Sequence, residues 1–156
     1  MTQAVAEIAA EECKLVTLRV GKQLLGIPVT HVRDVLKNAR IAPVPLASAE
    51  VLGAMNLRGR VVTVVDMRIR LHLGPMPEDV APMFIVTECR GEYFGLRVDA
   101  IGEVLTLTAV DIEKKPANLK SPWRDVASGI YRLPEELLVV VDLEALLATG
   151  HNEEKG

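Results

Sequence analysis

Gly53-Ala-Met-Asn-Leu-Arg-Gly-Arg60 runs straight into Val61-Val-Thr-Val-Val-Asp-Met67, and the reading of this stretch decides the fold. Its second half is a run of β-branched residues too short to span a membrane and too apolar to sit in solvent, which is the pattern of a buried strand. The first half reads as a polar, glycine-bounded loop that holds Arg58 and Arg60 at the mouth of that strand. Gly59 directly after Arg58 lets the backbone turn, or lets a partner approach as no residue with a Cβ could. Taken alone, the stretch favours a plain turn with solvated arginines, because loop arginines are usually just exposed.

Upstream, Leu15 to Val20 alternates, Gly21-Lys-Gln23 turns and Leu24 to Val29 resumes, which predicts a β-hairpin with Pro28 at an edge or strand end. Val29, Val32 and Val35-Leu36 then recur at helical spacing and predict a short helical turn. Arg40 to Pro45 is extended by its prolines, and Leu46 to Leu52 is expected as loop. Downstream, Asp66 is placed to cap a short helix Met67–Leu73, with Gly74 and Pro75 as its stop. Met83 to Glu88, a turn at Arg90-Gly91-Glu92 and Tyr93 to Val98 predict a second hairpin. Ile101, Val104 and Leu105 repeat the helical spacing, and Thr106 to Ile112 reads as a strand. Lys114 to Pro122 is polar and proline-punctuated, hence a surface loop, before a strand at Leu137–Val141 and a capped helix, Asp142 to Gly150.

The two halves are copies. Gly26-Ile-Pro-Val29, Val32, Asp34 and Val35-Leu36 match Gly95-Leu-Arg-Val98, Ile101, Glu103 and Val104-Leu105, since Gly26 and Gly95 lie 69 positions apart. Gly53 to Met67 matches Gly129 to Leu143, with Asp66 and Asp142 76 positions apart. Two like β-subdomains, each small for independent stability, are expected to pack face to face. Their expected spans are about 14–78 and 82–149, within one domain of 14–149, and exchange of the final strand between them is open. Residues 1–13 and 150–156 are expected as tails.

The repeat also separates architecture from function. Gly53 pairs with Gly129, Leu57 with Leu133 and Asp66 with Asp142, so these positions serve the fold. Arg58 and Gly59 pair with Pro134 and Glu135. The fold does not need an Arg-Gly pair there, which shifts Arg58 toward a role in recognition.

With 156 residues, 49% hydrophobic and 25% charged, the chain reads as an ordinary globular protein. A net charge of −3 argues against a nucleic-acid binder, and Tyr93, Trp123 and Tyr131 are too scattered to stack bases. No apolar run is long enough to span a membrane, and the first residues lack a basic, signal-like region, so a cytoplasmic location without membrane insertion is expected. Cys13, in a loose lead-in, and Cys89 are expected to be free thiols, and neither metal nor cofactor is expected.

Gly26-Ile-Pro-Val29 with Val32 and Asp34, the Asn56-Leu-Arg-Gly59 loop, Val61 to Asp66 followed by Arg68, and Tyr93 to Val104 stand in an order that resembles the CheW-like domain family. The resemblance covers nearly all of Lys14 to Leu147. It implies an all-β fold: two packed five-stranded SH3-like β-barrel subdomains from an internal repeat, with short helices. It also implies a non-catalytic adaptor that joins the cytoplasmic tip of methyl-accepting chemoreceptors to the regulatory domain of the chemotaxis histidine kinase CheA. By the same resemblance, Val32, Asp34, Asn56, Leu57, Arg58 and Gly59 would face the receptor. Phe94, Ile101 and Leu105 are candidates for the kinase face by position, each of them also a natural core residue. The family usually has glutamate where this chain has Asp34, a shorter acid.

The residues fit a binder independently. Asp66 and Asp142 follow like strands of two similar halves, an arrangement similar to a pair of protease carboxylates, but helix capping explains both. His31, His72 and His151 are scattered, and no nucleophile has a base at good spacing. Two readings stay open beside the adaptor: a small ligand-binding or hydrolase β-barrel on the same scaffold, and an adaptor in a parallel, non-flagellar chemosensory pathway.

Overall fold

Short apolar or alternating runs bounded by turn residues form the strands. A computed structural model describes residues 11–75, 77–114 and 119–147. The opening hairpin is β1 (Glu12–Val20) and β2 (Gln23–Pro28), turning at Gly21-Lys22. Next come β3 (Val32–Leu36), β4 (Val51–Leu57), β5 (Arg60–Asp66) and the single-turn helix α1 (Met67–Arg70). The second half supplies β6 (Met83–Cys89), β7 (Glu92–Val98), β8 (Ala100–Thr108), α2 (Trp123–Val126), β9 (Ala127–Arg132) and β10 (Leu137–Val141). Residues 143–147 are helical.

Several local expectations need correction. Val32 to Leu36 is strand β3, and only Val29–His31 makes a 3-10 turn. Ile101, Val104 and Leu105 likewise lie in β8, which ends at Thr108 before a 3-10 turn at Ala109–Asp111. The reason is a pair of bulges. β3 shifts register against β6 between Val32 and Asp34, and β8 shifts against β1 opposite Val16 and Leu18. An extra residue in a strand breaks the two-residue alternation and leaves apolar side chains at three- and four-residue spacing, which imitates a helix. Gly53 to Leu57 is strand, not loop; only Arg58-Gly59 turns. β1 begins at Glu12, so Cys13 sits in a strand rather than in a lead-in. Residues 1–10, 115–118 and 148–156, with the expected tails, part of the 114–122 loop and the end of the last helix, lie outside the described residues.

The strands form two sheets, ordered β8-β1-β2-β10-β9 and β3-β6-β7-β5-β4. Each joins three strands of one half to the opening hairpin of the other, through the parallel pairs β2 with β10 and β5 with β7. The sheets therefore do not coincide with 14–78 and 82–149, and what crosses between the halves is a whole hairpin.

Alternation divides most strands between two cores. In β10, Leu138 and Val140 face a cluster with Leu15, Leu24 and Leu107, private to the first sheet. Val62 and Val64 of β5 face the equivalent cluster of Met55, Phe84 and Val86 in the second. Val139, Val141, Val65, Ile85, Leu25 and Ile27 point the other way, into one core shared by both sheets. Strands buried on both faces read as unbroken apolar runs, which is why Val61–Val65 and Leu137–Val141 look as they do.

The repeated positions are now explained. Asp66 Oδ1 accepts hydrogen bonds from the Arg68 and Ile69 amides at the start of α1, and Asp142 Oδ1 accepts from the Ala145 amide at 3.2 Å. Gly53 and Gly129 each let a linker cross an edge strand. The Ala42–Ala54 and Glu113–Ile130 bridges form there, and a Cβ on Gly53 would lie 2.2 Å from the Ala42 carbonyl oxygen.

Candidate protein-docking site

Two of the hairpins turn on the dipeptide Arg-Gly. Arg58-Gly59 joins β4 to β5 with φ of 52° and 83°, and Arg90-Gly91 joins β6 to β7 with 53° and 79°. Two successive positive φ values are the signature of a type I′ turn, whose twist matches that of the strands it joins. Because β5 and β7 run parallel, both turns project from the same end of their sheet. An arginine in the left-handed region is conformationally costly, and Asn56 offsets part of that cost, its Oδ1 accepting from the Gly59 amide at 2.9 Å.

The sheet is curled enough to bring its two edge strands together at this end. Arg58, at the tip of edge strand β4, reaches Asp34 in the opposite edge strand β3, Nη1 to Oδ2 at 2.9 Å. The β3 bulge sits immediately before Asp34 and re-aims its carboxylate. Asp34 Oδ1 accepts from the Val35 amide at 2.8 Å, whereas Oδ2 has the Arg58 charge beside it but no well-aligned hydrogen bond. The Arg58 side chain is 76% exposed and that of Asp34 22%. Such a pair adds little to stability, at most about 1 kcal/mol, and leaves most of the guanidinium fork free for another molecule.

Five of the six residues expected at a receptor face thus gather around one seam: Asp34, Asn56, Leu57, Arg58 and Gly59. Val32 begins the same strand as Asp34 and packs against the shared core, and Leu57 against the second sheet's own cluster. Nearby, Arg60 stacks on Tyr93 with its guanidinium carbon 4.6 Å from the ring centre, and Arg33 Nε meets Glu88 at 2.9 Å. The kinase-face candidates are spread more widely. Phe94 lies in β7 of the second sheet, Ile101 and Leu105 in β8 of the first, and all three are half-buried. Ile101 and Phe94 pack on the shared core, Leu105 on the first sheet's own cluster.

Sequence reading missed two arrangements. Arg68 and Asp99 form a doubly bonded pair, Nε to Oδ1 at 2.9 Å and Nη2 to Oδ2 at 2.5 Å, with both side chains only 13% exposed. It fastens α1 to the β7–β8 corner, and the Gly21 amide donates to Asp99 Oδ2 as well. The Arg at the head of a helix and the Asp after a strand carried no signal that they would meet. The second is a cavity of about 630 Å³ lined in part by Glu50 and Arg70, whose counterparts in the second copy are Val126 and Leu146.

Nothing in this arrangement assembles a catalytic pair: Asp66 is engaged by two helix amides and by Arg97 at 3.2 Å, and Asp142 caps the 143–147 helix. His31 and His72 are exposed. Among the described residues no three His, Cys, Asp or Glu side chains gather as metal ligands, and no helix is long and apolar enough to cross a membrane.

Two pseudo-symmetric five-stranded sheets around a shared core, with an exposed Arg–Asp pair at one seam, define an all-β domain of two like halves. Residues 14–150 match the family model of the CheW-like domain, and the chain belongs to that family. It is 29% identical over 153 residues to a probable chemotaxis protein CheW of Rhizobium etli, covering 98% of this chain and 99% of that one. With the chemotaxis protein CheW of Bacillus subtilis it shares 30% identity over 142 residues, 91% of this chain and 90% of the relative. The crystal structure of the scaffolding protein TtCheW from Thermoanaerobacter tengcongensis superimposes with a TM-score of 0.79 at 26% identity, covering 87% of this chain and 92% of that one.

Proposed function

We propose that the protein is a non-catalytic adaptor of bacterial chemosensory signalling, coupling the cytoplasmic tip of methyl-accepting chemoreceptors to the regulatory domain of the histidine kinase CheA. The observation that carries this reading is the Asp34–Arg58 contact, which holds a mostly exposed guanidinium at the seam of one sheet. Membership of the CheW-like family supplies the partner classes. A receptor tip is a helical hairpin, so the docking mode is a helix laid against the seam, with Arg58 as the polar anchor and Val32 and Leu57 as apolar neighbours. Phe94, Ile101 and Leu105 are assigned to the kinase side. In this role the protein works in the cytoplasm and is recruited to membrane-associated receptor arrays through its partners. The test is calorimetric titration of the purified protein with a receptor-tip fragment and, separately, with the kinase regulatory domain. Binding to both is expected, and failure to bind either one overturns the reading.

A further inference from the structure

Extending the repeat offset of 76 a few residues beyond the hairpin turns up two mismatched positions. Glu50 corresponds to Val126 and Arg70 to Leu146. The backbone treats the first pair identically: the Asp66 amide donates to the Glu50 carbonyl at 2.7 Å, and the Asp142 amide to the Val126 carbonyl at 2.8 Å. Val126 and Leu146 are buried core residues, each 1% exposed. The fold therefore accepts an apolar side chain at both places, and the first copy carries a carboxylate and a guanidinium instead.

Glu50 is only 8% exposed, and its Oε1 is buried without a hydrogen-bond partner. A buried carboxylate oxygen lacking a donor is expensive to maintain. Arg70 is close enough for the two charges to attract but gives Glu50 Oε1 no hydrogen bond. Its Nε and Nη2 donate instead to the Leu146 and Ala145 carbonyls, at 2.7 and 3.3 Å. Glu50 lines the cavity of about 630 Å³, together with Val44, Leu46, Arg70, Glu92 and Phe94. Leu46, on the rim, is fully exposed. Arg70 keeps its charge but turns its bonded nitrogens to the Leu146 and Ala145 carbonyls, so two carboxylates, Glu50 and Glu92, against one guanidinium leave the cavity net negative among apolar walls.

We infer that this cavity receives a basic side chain, lysine or arginine, from a partner protein. The cationic head bonds Glu50 and the aliphatic stem lies along Val44, Leu46 and Phe94. A long side chain with an apolar stem and a charged tip matches both halves of that lining. The inference deepens the adaptor reading and rests on it only for the partner's being a protein. The probes below contain neither receptor nor kinase, so the two can fail separately.

The test is a titration of the isotope-labelled full chain, followed by amide NMR shifts, with N-acetyl-lysine amide, N-acetyl-arginine amide and the uncharged N-acetyl-norleucine amide. Saturable shifts confined to residues 44–51, Arg70 and residues 92–94 are expected with the two cations. Affinity should be at least tenfold weaker for the norleucine probe, and for the lysine probe with Glu50→Gln. Glu50→Val, which installs the second copy's residue, should also abolish cation binding. Equal binding of the norleucine probe, no saturable shift with either cation, or undiminished binding to Glu50→Gln would each overturn the proposal. In the last case Glu50 serves Arg70 alone.

Discussion

Asp34 and Arg58 belong to strands at opposite edges of one five-stranded sheet, yet their charged atoms stand 2.9 Å apart. The contact closes a seam that no backbone ladder closes, and it does so with an arginine whose φ is positive. Arg58→Asn should therefore leave the turn intact or slightly firmer, because asparagine tolerates that conformation better. The melting temperature should hold, while affinity for a receptor-tip fragment falls by about 2 kcal/mol, some 30-fold. Restored binding in Asp34→Arg with Arg58→Glu would mean that the pair itself is recognised. Continued failure would mean that Arg58 touches the receptor directly.

The Arg68–Asp99 lock should dominate the acid sensitivity of the fold. Burial pushes the Asp99 carboxyl upward, but the Arg68 and Gly21 hydrogen bonds and the charges of Arg68 and Arg97 outweigh it and hold the group below its ordinary value. A carboxyl depressed in the folded state adds stability above its unfolded value, about 3.9. That stability is lost as pH falls through the folded value. Asp99→Asn should cost about 3 kcal/mol at pH 7 in urea unfolding, since it removes the carboxylate that faces the largely buried Arg68 guanidinium and leaves it the Gly74 and Pro75 carbonyls. The gap to the parent protein should narrow below about pH 4. A gap that does not change with pH would show that Asp99 acts through packing alone.

Three glycine-to-alanine exchanges should rank by what their Cβ meets. Gly53→Ala puts a Cβ 2.2 Å from a backbone oxygen at φ 151°, and should cost about 3 kcal/mol or more. Gly129→Ala, at 2.7 Å from the Glu113 carbonyl oxygen, should cost less. Gly59→Ala meets no atom within 4 Å and carries only the strain of φ 83°, about 1 kcal/mol. Chemical denaturation of the three variants gives the order directly.

Both thiols should react sluggishly. Burial raises the pKa of Cys13, with Glu11 adding to it; burial likewise raises that of Cys89, with Glu144 adding and Arg90 opposing. At pH 7 the thiolate is then a small minority in each, so labelling by a disulfide reagent should run slower than in the urea-unfolded chain. Rates that match in the two states would contradict it.

Most strands were legible as short apolar or alternating runs bounded by turn residues, and the helix caps because Asp66 and Asp142 recur after like strands. The misread segments share a cause. Bulges before Asp34 and at Gly102-Glu103 add a residue to the strand, and spacing alone cannot distinguish an interrupted period of two from a helical one. Gly53 and Asn56 carry loop chemistry inside a strand, the first to let Ala42 cross and the second to brace the turn. The exchanged hairpins were hidden for the opposite reason: copies that resemble one another carry no local signal of which half each should join. At the site, Arg58 stood out because its counterpart is Pro134. Glu50 and Arg70 carried the same kind of signal three residues beyond either end of the aligned stretch, against Val126 and Leu146.

The crossed hairpins also govern the order in which the chain can become a protein as it leaves the ribosome. The β3-β6-β7-β5-β4 sheet has all its strands once Val98 has emerged. The β1–β2 hairpin, made first, has neither neighbour until β8 and β10 follow, the last of them ending at Val141. The first two of these ten strands to be translated are thus among the last to be enclosed, and until β8 and β10 follow they present two open edges to whatever lies nearby.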